Sequence, residues 1–403
     1  MYQLINDLRI VECASFIAGP SCTLHLQQLG AEVIRIDPIG GGPDFHRWPV
    51  SDEHHSFYWE GLNKGKRSIQ IDLADPEGRA LAQAIITAPG TNSGIFVTNF
   101  PRRSFLSHES LCEKRSDLIT VRIAGWSDGE PAVDYTVNAA TGIPYMTGEE
   151  SGSGDPVNHV LPAWDLMTGA YAAFAVLAAE RSRRSTNQGG EVIVPLSDVA
   201  IASLGHLGQI AEVLTQGDRP RSGNALFGAF GRDFVTNDGN RVMVVAITAR
   251  QWSALLNSLA LSEQIATLEK TLDVSFAFDE GVRFRFRDRL FPLFERAIAS
   301  RTLDEISKRF RAEGVCWSVY RTLKDALASE PRFSLQGPLF GELEHPSGHR
   351  YPAPGSAATF IGRERLAPHA APLLGTNTDE ILGEVMHLSP SEIGKLHDRG
   401  IVK

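Results

Sequence analysis

The N-terminal half of this chain alternates short β-branched runs with helical patterns, and no other feature restricts its fold as much. Arg9–Glu12, Glu32–Asp37, Ile69–Leu73, Ile95–Asn99, Leu118–Ile123 and Glu191–Pro195 read as strands. Ser21–Leu29, Pro76–Ile86 and Leu166–Arg181 read as helices between them. Strands separated by helices make a mostly parallel sheet covered on both faces. The expected fold class is therefore α/β, with a Rossmann-like large domain. A ligand on such a sheet sits beyond the carboxyl ends of the strands.

The pattern changes at the turn-rich stretch Arg219-Pro220-Arg221-Ser222-Gly223-Asn224. Beyond it, Phe234–Thr236 and Arg241–Ala246 flank Asn237-Asp238-Gly239-Asn240, a hairpin signal. Helical segments follow to about Lys324, then a Pro- and Gly-rich stretch over 337–362 and a short helical tail. In the tail, Ser389-Pro390-Ser391-Glu392 predicts a capped helix with proline at its first position. At 403 residues the chain suits two domains of unequal size. We expect the first part of the large domain over 1–225, a smaller α+β domain over 226–332, and a segment over 333–403 returning to the large domain.

Composition excludes some functions. With 42% hydrophobic and 22% charged residues the chain is globular, and its net charge of −9 argues against nucleic acid or an acidic membrane as partner. A local cluster of cations can still bind an anionic ligand. The longest apolar stretch, Ala170 to Ala179, is about half of what a membrane helix needs. Cys13, Cys22, Cys112 and Cys316 form no CxxC pair and suit a reducing compartment. No signal-peptide pattern precedes the first strand. A cytoplasmic location is expected.

The first strand-to-helix turn, Ala18-Gly19-Pro20-Ser21, lacks the glycines that a dinucleotide pyrophosphate requires. Gly40-Gly41-Gly42 has no P-loop lysine and reads as a surface loop. His345 and His349 are four apart, but Pro346 and Gly348 break the helix that would align them, and no metal site is expected. Two segments bear cations near strand ends. Asn63-Lys64-Gly65-Lys66-Arg67 is either a solvated loop or a phosphate holder. Asn99-Phe100-Pro101-Arg102-Arg103 offers an amide, an aromatic face and two guanidiniums, and a parallel sheet brings both segments toward one crevice. Asp165, in Leu161-Pro162-Ala163-Trp164-Asp165 before a helix of small residues, fits two roles: a plain helix cap, or a reacting carboxylate. The residue pattern leaves both open.

At these positions the sequence resembles the family III, CaiB/BaiF-type, coenzyme A transferases. The likeness runs through Leu8-Arg9-Ile10-Val11-Glu12, Ala18-Gly19-Pro20, Leu29-Gly30-Ala31-Glu32-Val33-Ile34-Arg35-Ile36-Asp37, Leu62 to Ser68, Asn99-Phe100 and Leu374 to Leu382. Further likeness is to members that shift CoA between the two carboxylates of one mesaconate. It is carried by Ile36 to Gly42, Arg47-Trp48-Pro49-Val50, Gly61 to Lys66, Val157 to Asp165 and Gly228 to Phe234.

The resemblance implies an interlocked homodimer of two-domain chains, an acyl-CoA thioester as substrate, and no cofactor beyond the CoA the substrate carries. It makes Asp165 the nucleophile. It assigns CoA contacts to Ile17, Ala18, Asn63, Lys66, Asn99 and Phe100, with Arg67 in the same basic loop, and the acyl site to Trp48 and Tyr135. A second carboxylate needs a cation, for which Arg47 and then Arg232 are candidates. Pro38 stands where some members have an adenine-contacting Arg, Val133 where some have a Lys, and no four-glycine run is present. Three alternatives remain: CoA transfer between two dicarboxylic acids, a non-catalytic CoA-binding protein, and an α-methylacyl-CoA racemase. The racemase needs a His–Asp pair whose His position is occupied here by Val133, next to Asp134.

Overall fold

The computed structural model describes residues 1–403, which form two compact units. One comprises residues 1–141, 159–211 and 331–403; the other comprises 142–158 and 212–330. In the first half of the chain the elements are β1 (Arg9–Cys13), α1 (Ala18–Gln28), β2 (Glu32–Pro38), α2 (Phe57–Leu62), β3 (Arg67–Ile71), α3 (Pro76–Ile86), β4 (Ile95–Thr98), α4 (His108–Cys112), β5 (Ile119–Ala124) and α5 (Asp134–Ala140). Then come α6 (Ile143–Met146), α7 (Ala163–Thr186), β6 (Gly190–Pro195), α8 (Leu196–His206) and α9 (Gln209–Gln216). The six strands pair in parallel in the order β3-β2-β1-β4-β5-β6, so the order reverses between β1 and β4. That is the Rossmann order, and its ligand crevice lies at the reversal.

Five of the six strands fall within one residue of the sequence expectation. The sixth, β3, starts at Arg67 rather than Ile69, because Arg67 and Ser68 pair with Ile34 and Arg35. Packing on the sheet follows residue size. Trp164, Thr168, Ala172 and Val176 form a buried stripe of α7 at four-residue spacing, and Gly169 lies beside it. A Cβ on Gly169 would meet Ser21 Oγ at 1.9 Å and the Ala18 carbonyl at 2.8 Å, so glycine is what lets α1 and α7 pack this closely.

The second unit holds an antiparallel sheet of β7 (Phe230–Val235), β8 (Arg241–Ala246) and β9 (Cys316–Val319), ordered β7-β8-β9. Helices α10 (Ala249–Leu259), α11 (Ser262–Leu272), α12 (Glu280–Arg285), α13 (Arg287–Ala299), α14 (Leu303–Glu313) and α15 (Leu323–Ser329) complete it. Its core is aromatic, with Phe230, Phe234, Trp252, Phe291 and Phe294 buried together. In the first unit, β10 (Phe340–Glu344) and β11 (Arg350–Pro354) form a hairpin. Helices α16 (Thr378–Val385) and α17 (Pro390–Asp398) close the core over β3. The Ser389 hydroxyl accepts the Glu392 N–H, completing the expected capping box. No helix is long and apolar enough to cross a membrane.

Candidate active site

At the reversal point the chain ties the ends of β1 and β4 together. The Asn99 side chain accepts the Ser15 N–H at 3.2 Å and donates to the Ser15 carbonyl at 3.0 Å. Those bonds hold the turn into α1, where Phe16 takes a left-handed conformation (φ 69°) uncommon for a bulky residue. Ile17 and Ala18 follow, buried at the start of α1, and Phe100 lies half-buried, its ring edge-on to Phe105. Four of the residues assigned to CoA therefore gather at the crevice. Just past β4 an open cavity of about 610 Å³ is lined by Arg102, Arg103, Ser104, Ser107 and Glu109. Arg102 pairs with Glu191 at 3.3 Å, whereas Arg103 pairs with no carboxylate.

The basic loop is held by a dense set of internal partners. Lys66 is buried, and its ammonium donates to Glu12 at 2.7 Å, the Pro20 carbonyl at 2.9 Å and Asn63 Oδ1 at 2.9 Å. An ammonium has three N–H bonds, so none is left for a phosphate. Asn63 also accepts from Arg35 at 3.1 Å and donates to the Trp59 carbonyl at 3.1 Å. Arg67 is engaged by Glu32, by Glu384 at 2.9 Å and by Glu380 at 3.2 Å. In this structure Asn63, Lys66 and Arg67 all serve internal partners. At the hub is Arg35, fully buried, paired with Glu12 (2.8 Å), Asp37 (3.0 Å) and Asp44 (2.9 Å), with Trp59 4.4 Å away. Burial pulls the Lys66 ammonium down to about 8, with Glu12 opposing. A carboxylate and an ammonium taken out of water are tolerable only when paired in this way.

Asp165 is not the cap of α7. Pro162 occupies the cap position, offers no side-chain acceptor, and leaves Asp165 as the third helical residue. The cap comes instead from Asp134, at the start of α5. Its Oδ2 accepts the backbone N–H of Trp164 at 2.7 Å and of Asp165 at 3.1 Å. Its Oδ1 is 2.9 Å from Nε2 of His159. The Asp165 carboxylate is thereby released from capping, and burial followed by the nearby Asp134 charge pushes it up to about 7, against the pull of Arg47. Arg47 pairs with no carboxylate; its guanidinium lies 5.3 Å from the Tyr58 ring and 5.7 Å from the Phe16 ring. The buried Tyr58 hydroxyl beside it makes no well-formed hydrogen bond. Burial raises that phenol, Arg47 opposes, and Asp165 adds to the rise.

Trp48, next to Arg47, is 79% exposed. Tyr135 packs edge-on against His159, its hydroxyl 3.4 Å from the Val160 carbonyl. Arg232 lies in the second unit on β7, with its guanidinium 5.2 Å from the Phe291 ring and 5.8 Å from that of Phe234. Sequence reasoning gave Asp134 and His159 no part in holding Asp165, and it passed over Tyr58. The available signal was Pro162, which cannot cap its own helix and so demands a distant acceptor.

The sequence model of CoA-transferase family III matches residues 5–378. The chain belongs to CoA-transferase family III. It is an enzyme, and the binding-protein alternative falls. It is 49% identical over its full length to the 2-methylfumaryl-CoA isomerase of Chloroflexus aurantiacus, covering 98% of that protein. It is 27% identical to the human succinyl-CoA:glutarate CoA-transferase, with 99% of this chain and 90% of that protein aligned. A crystal structure of a CaiB/BaiF family protein from Brucella suis shares the fold, with a TM-score of 0.75 and 24% identity over 96% of this chain and all of that one.

Proposed function

We propose that this family III enzyme converts 2-methylfumaryl-CoA to 3-methylfumaryl-CoA by carrying CoA from one carboxylate of mesaconate to the other on Asp165. The observation that carries this reading is the pairing of roles around α7: a carboxylate that does not cap its own helix, and an Arg47 that pairs with no carboxylate and whose charge acts on it. A nucleophile and a cation for a second carboxylate are what a dicarboxylate isomerisation needs. Full-length identity of 49% to an isomerase of that name supports it.

In this mechanism an Asp165 oxygen attacks the thioester carbonyl, the C–S bond breaks, and CoA leaves as thiolate. The thiolate attacks the aspartyl carbon of the mixed anhydride, breaking its C–O bond and releasing mesaconate from an Asp165–CoA thioester. The second carboxylate of mesaconate then attacks that thioester, and the same two steps run in reverse order. Charge balances throughout and no proton is consumed. Arg47 holds whichever carboxylate is idle. Ile17, Ala18, Asn99 and Phe100 line the crevice for CoA. Arg103, with Arg102, supplies charge for its phosphates from the cavity just past β4.

A homodimer belongs to the same proposal. Met167, Tyr171 and Phe174 of α7 and Ile201 of α8 are exposed apolar side chains, a surface that a second copy would cover. A cytoplasmic location suits a CoA thioester and four free thiols. Transfer between two separate acids is a second reading, favoured by relatives such as the succinyl-CoA–D-citramalate CoA-transferase of Chloroflexus aurantiacus, 25% identical. Incubating the enzyme with 2-methylfumaryl-CoA alone tests the proposal: the 3-methyl isomer should form, and Asp165→Ala should abolish it. No isomer without an added acid would refute intramolecular transfer.

A further inference from the structure

We infer that Asp134, with His159 hydrogen-bonded to it, is the positioning residue of Asp165, anchoring the backbone that bears the nucleophile and setting the charge it works against. This rests on the reading of Asp165 as the nucleophile.

The geometry is specific. One oxygen of Asp134 accepts both the Trp164 and the Asp165 N–H, and the other faces His159 Nε2. Asp134 is 1% exposed, and Trp164 is tied to the same helix through its indole N–H and Asn138 Oδ1 at 3.1 Å. Helix α5 thus fixes the first turn of α7 from outside, and the Asp165 side chain projects from a clamped peptide. A neutral cap on α7 itself, a Ser or Thr, would fix the turn without bringing a second negative charge to Asp165.

That second charge has a chemical consequence. Two carboxylates near each other resist being ionised together. When Asp165 attacks, its negative charge passes to the leaving thiolate and the repulsion from Asp134 is relieved. Asp134 thus raises the basicity of the nucleophile and favours its acylated state over its free one. The His159 ring, partly exposed and held between Tyr135 and Trp164, moderates this charge through its hydrogen bond. Among groups around α7, Asp134 and Arg47 act on Asp165, and Tyr58 feels it in turn. The other titratable groups on the packed elements are Tyr135 of α5, Cys22 and His25 of α1, Asp198 and His206 of α8, Arg122 of β5 and Glu191 of β6.

The test is Asp134→Asn, which keeps an oxygen to accept the helix N–H bonds while removing the charge. With carbon-13-labelled aspartate, the Asp165 carboxyl signal, assigned by its loss in Asp165→Asn, is titrated in both proteins without substrate. Its midpoint should fall by at least about one unit. The acid limb of kcat/KM should fall with it, kcat on the plateau should drop about tenfold, and KM should change little. Asp134→Ser, smaller but still an acceptor, should give the same shift and covers a folding defect in the Asn variant. An unmoved midpoint in a folded variant would overturn the inference. Full activity in Asp165→Ala would overturn the functional reading instead, while the titration still decides whether Asp134 acts on Asp165.

Discussion

A carboxylate that attacks a thioester must be ionised and basic at once, and Asp165 meets both needs near neutrality. Its carboxyl is pushed up to about 7, mainly by burial and then by Asp134. The sign of the cost follows from linkage. Between about pH 4 and 7 the folded chain holds a proton that the unfolded chain has released, so stability falls as pH rises through that window. Above pH 7 the whole cost is present. Asp165→Asn should therefore be inactive yet more stable than the parent by about 4 kcal/mol above pH 7, and no more stable below pH 4. Urea unfolding at several pH values checks this, and equal stabilities throughout would deny the buried charge. A complementary pair of variants divides the cations. Lys66→Met leaves Glu12 short of a buried partner and should cost about 3 kcal/mol of stability while leaving KM near its original value. Arg103→Ala should leave stability unchanged and raise KM about tenfold, by loss of a charge-assisted phosphate contact. The opposite assignment of effects would return Lys66 to the ligand. Sequence showed the cations at 64–67 but not their partners, because Glu12 and Glu32 reach them only once strands pair. The same limit hid Asp134, which lies about thirty residues upstream of the N–H groups it accepts.

At the level of elements, the approach of α1 to α7 joins the turn proposed to line the CoA crevice to the helix that carries Asp165. Gly169 sets that distance. Gly169→Ala would drive a Cβ into Ser21 Oγ and the Ala18 carbonyl, and a backbone atom cannot yield as a side-chain tip does. The expected loss is about 2 kcal/mol of stability, and kcat should fall as well, because the displaced helix carries Asp165. A stable, fully active variant would show that the two helices can separate without consequence. The strands were legible because their signal is local: β-branched runs bounded by turns need no knowledge of partners. The hairpin at 237–240 and the cap at Ser389 were legible for the same reason. The beginning of β3 was not, since Arg67 is polar and joins the sheet only through its pairing with β2. Nor does any local signal show that residues 142–158 belong with the second unit.

For the whole molecule, the proposed chemistry turns on whether mesaconate stays bound while CoA rests on Asp165. The arrangement favours retention. Arg47 pairs with no carboxylate of the protein, and its charge acts on Asp165, so a dicarboxylate with one end at Asp165 can leave the other on a guanidinium. Such a retained acid is already aligned, and oriented intramolecular steps reach effective molarities of ~10⁵ M or more. No free acid at millimolar concentration competes with that. Added acetate, succinate or mesaconate should therefore be unnecessary and should scarcely enter the thioester product. The measurement is to supply unlabelled 2-methylfumaryl-CoA with excess carbon-13-labelled mesaconate and follow the 3-methyl isomer by mass spectrometry. Unlabelled isomer should dominate in the intact enzyme. In Arg47→Ala, which no longer tethers the idle carboxylate, turnover should fall and the labelled fraction should rise. Label entering the isomer as fast as the isomer forms, in the unaltered enzyme, would mean that mesaconate leaves at every turnover and that CoA passes between separate acids.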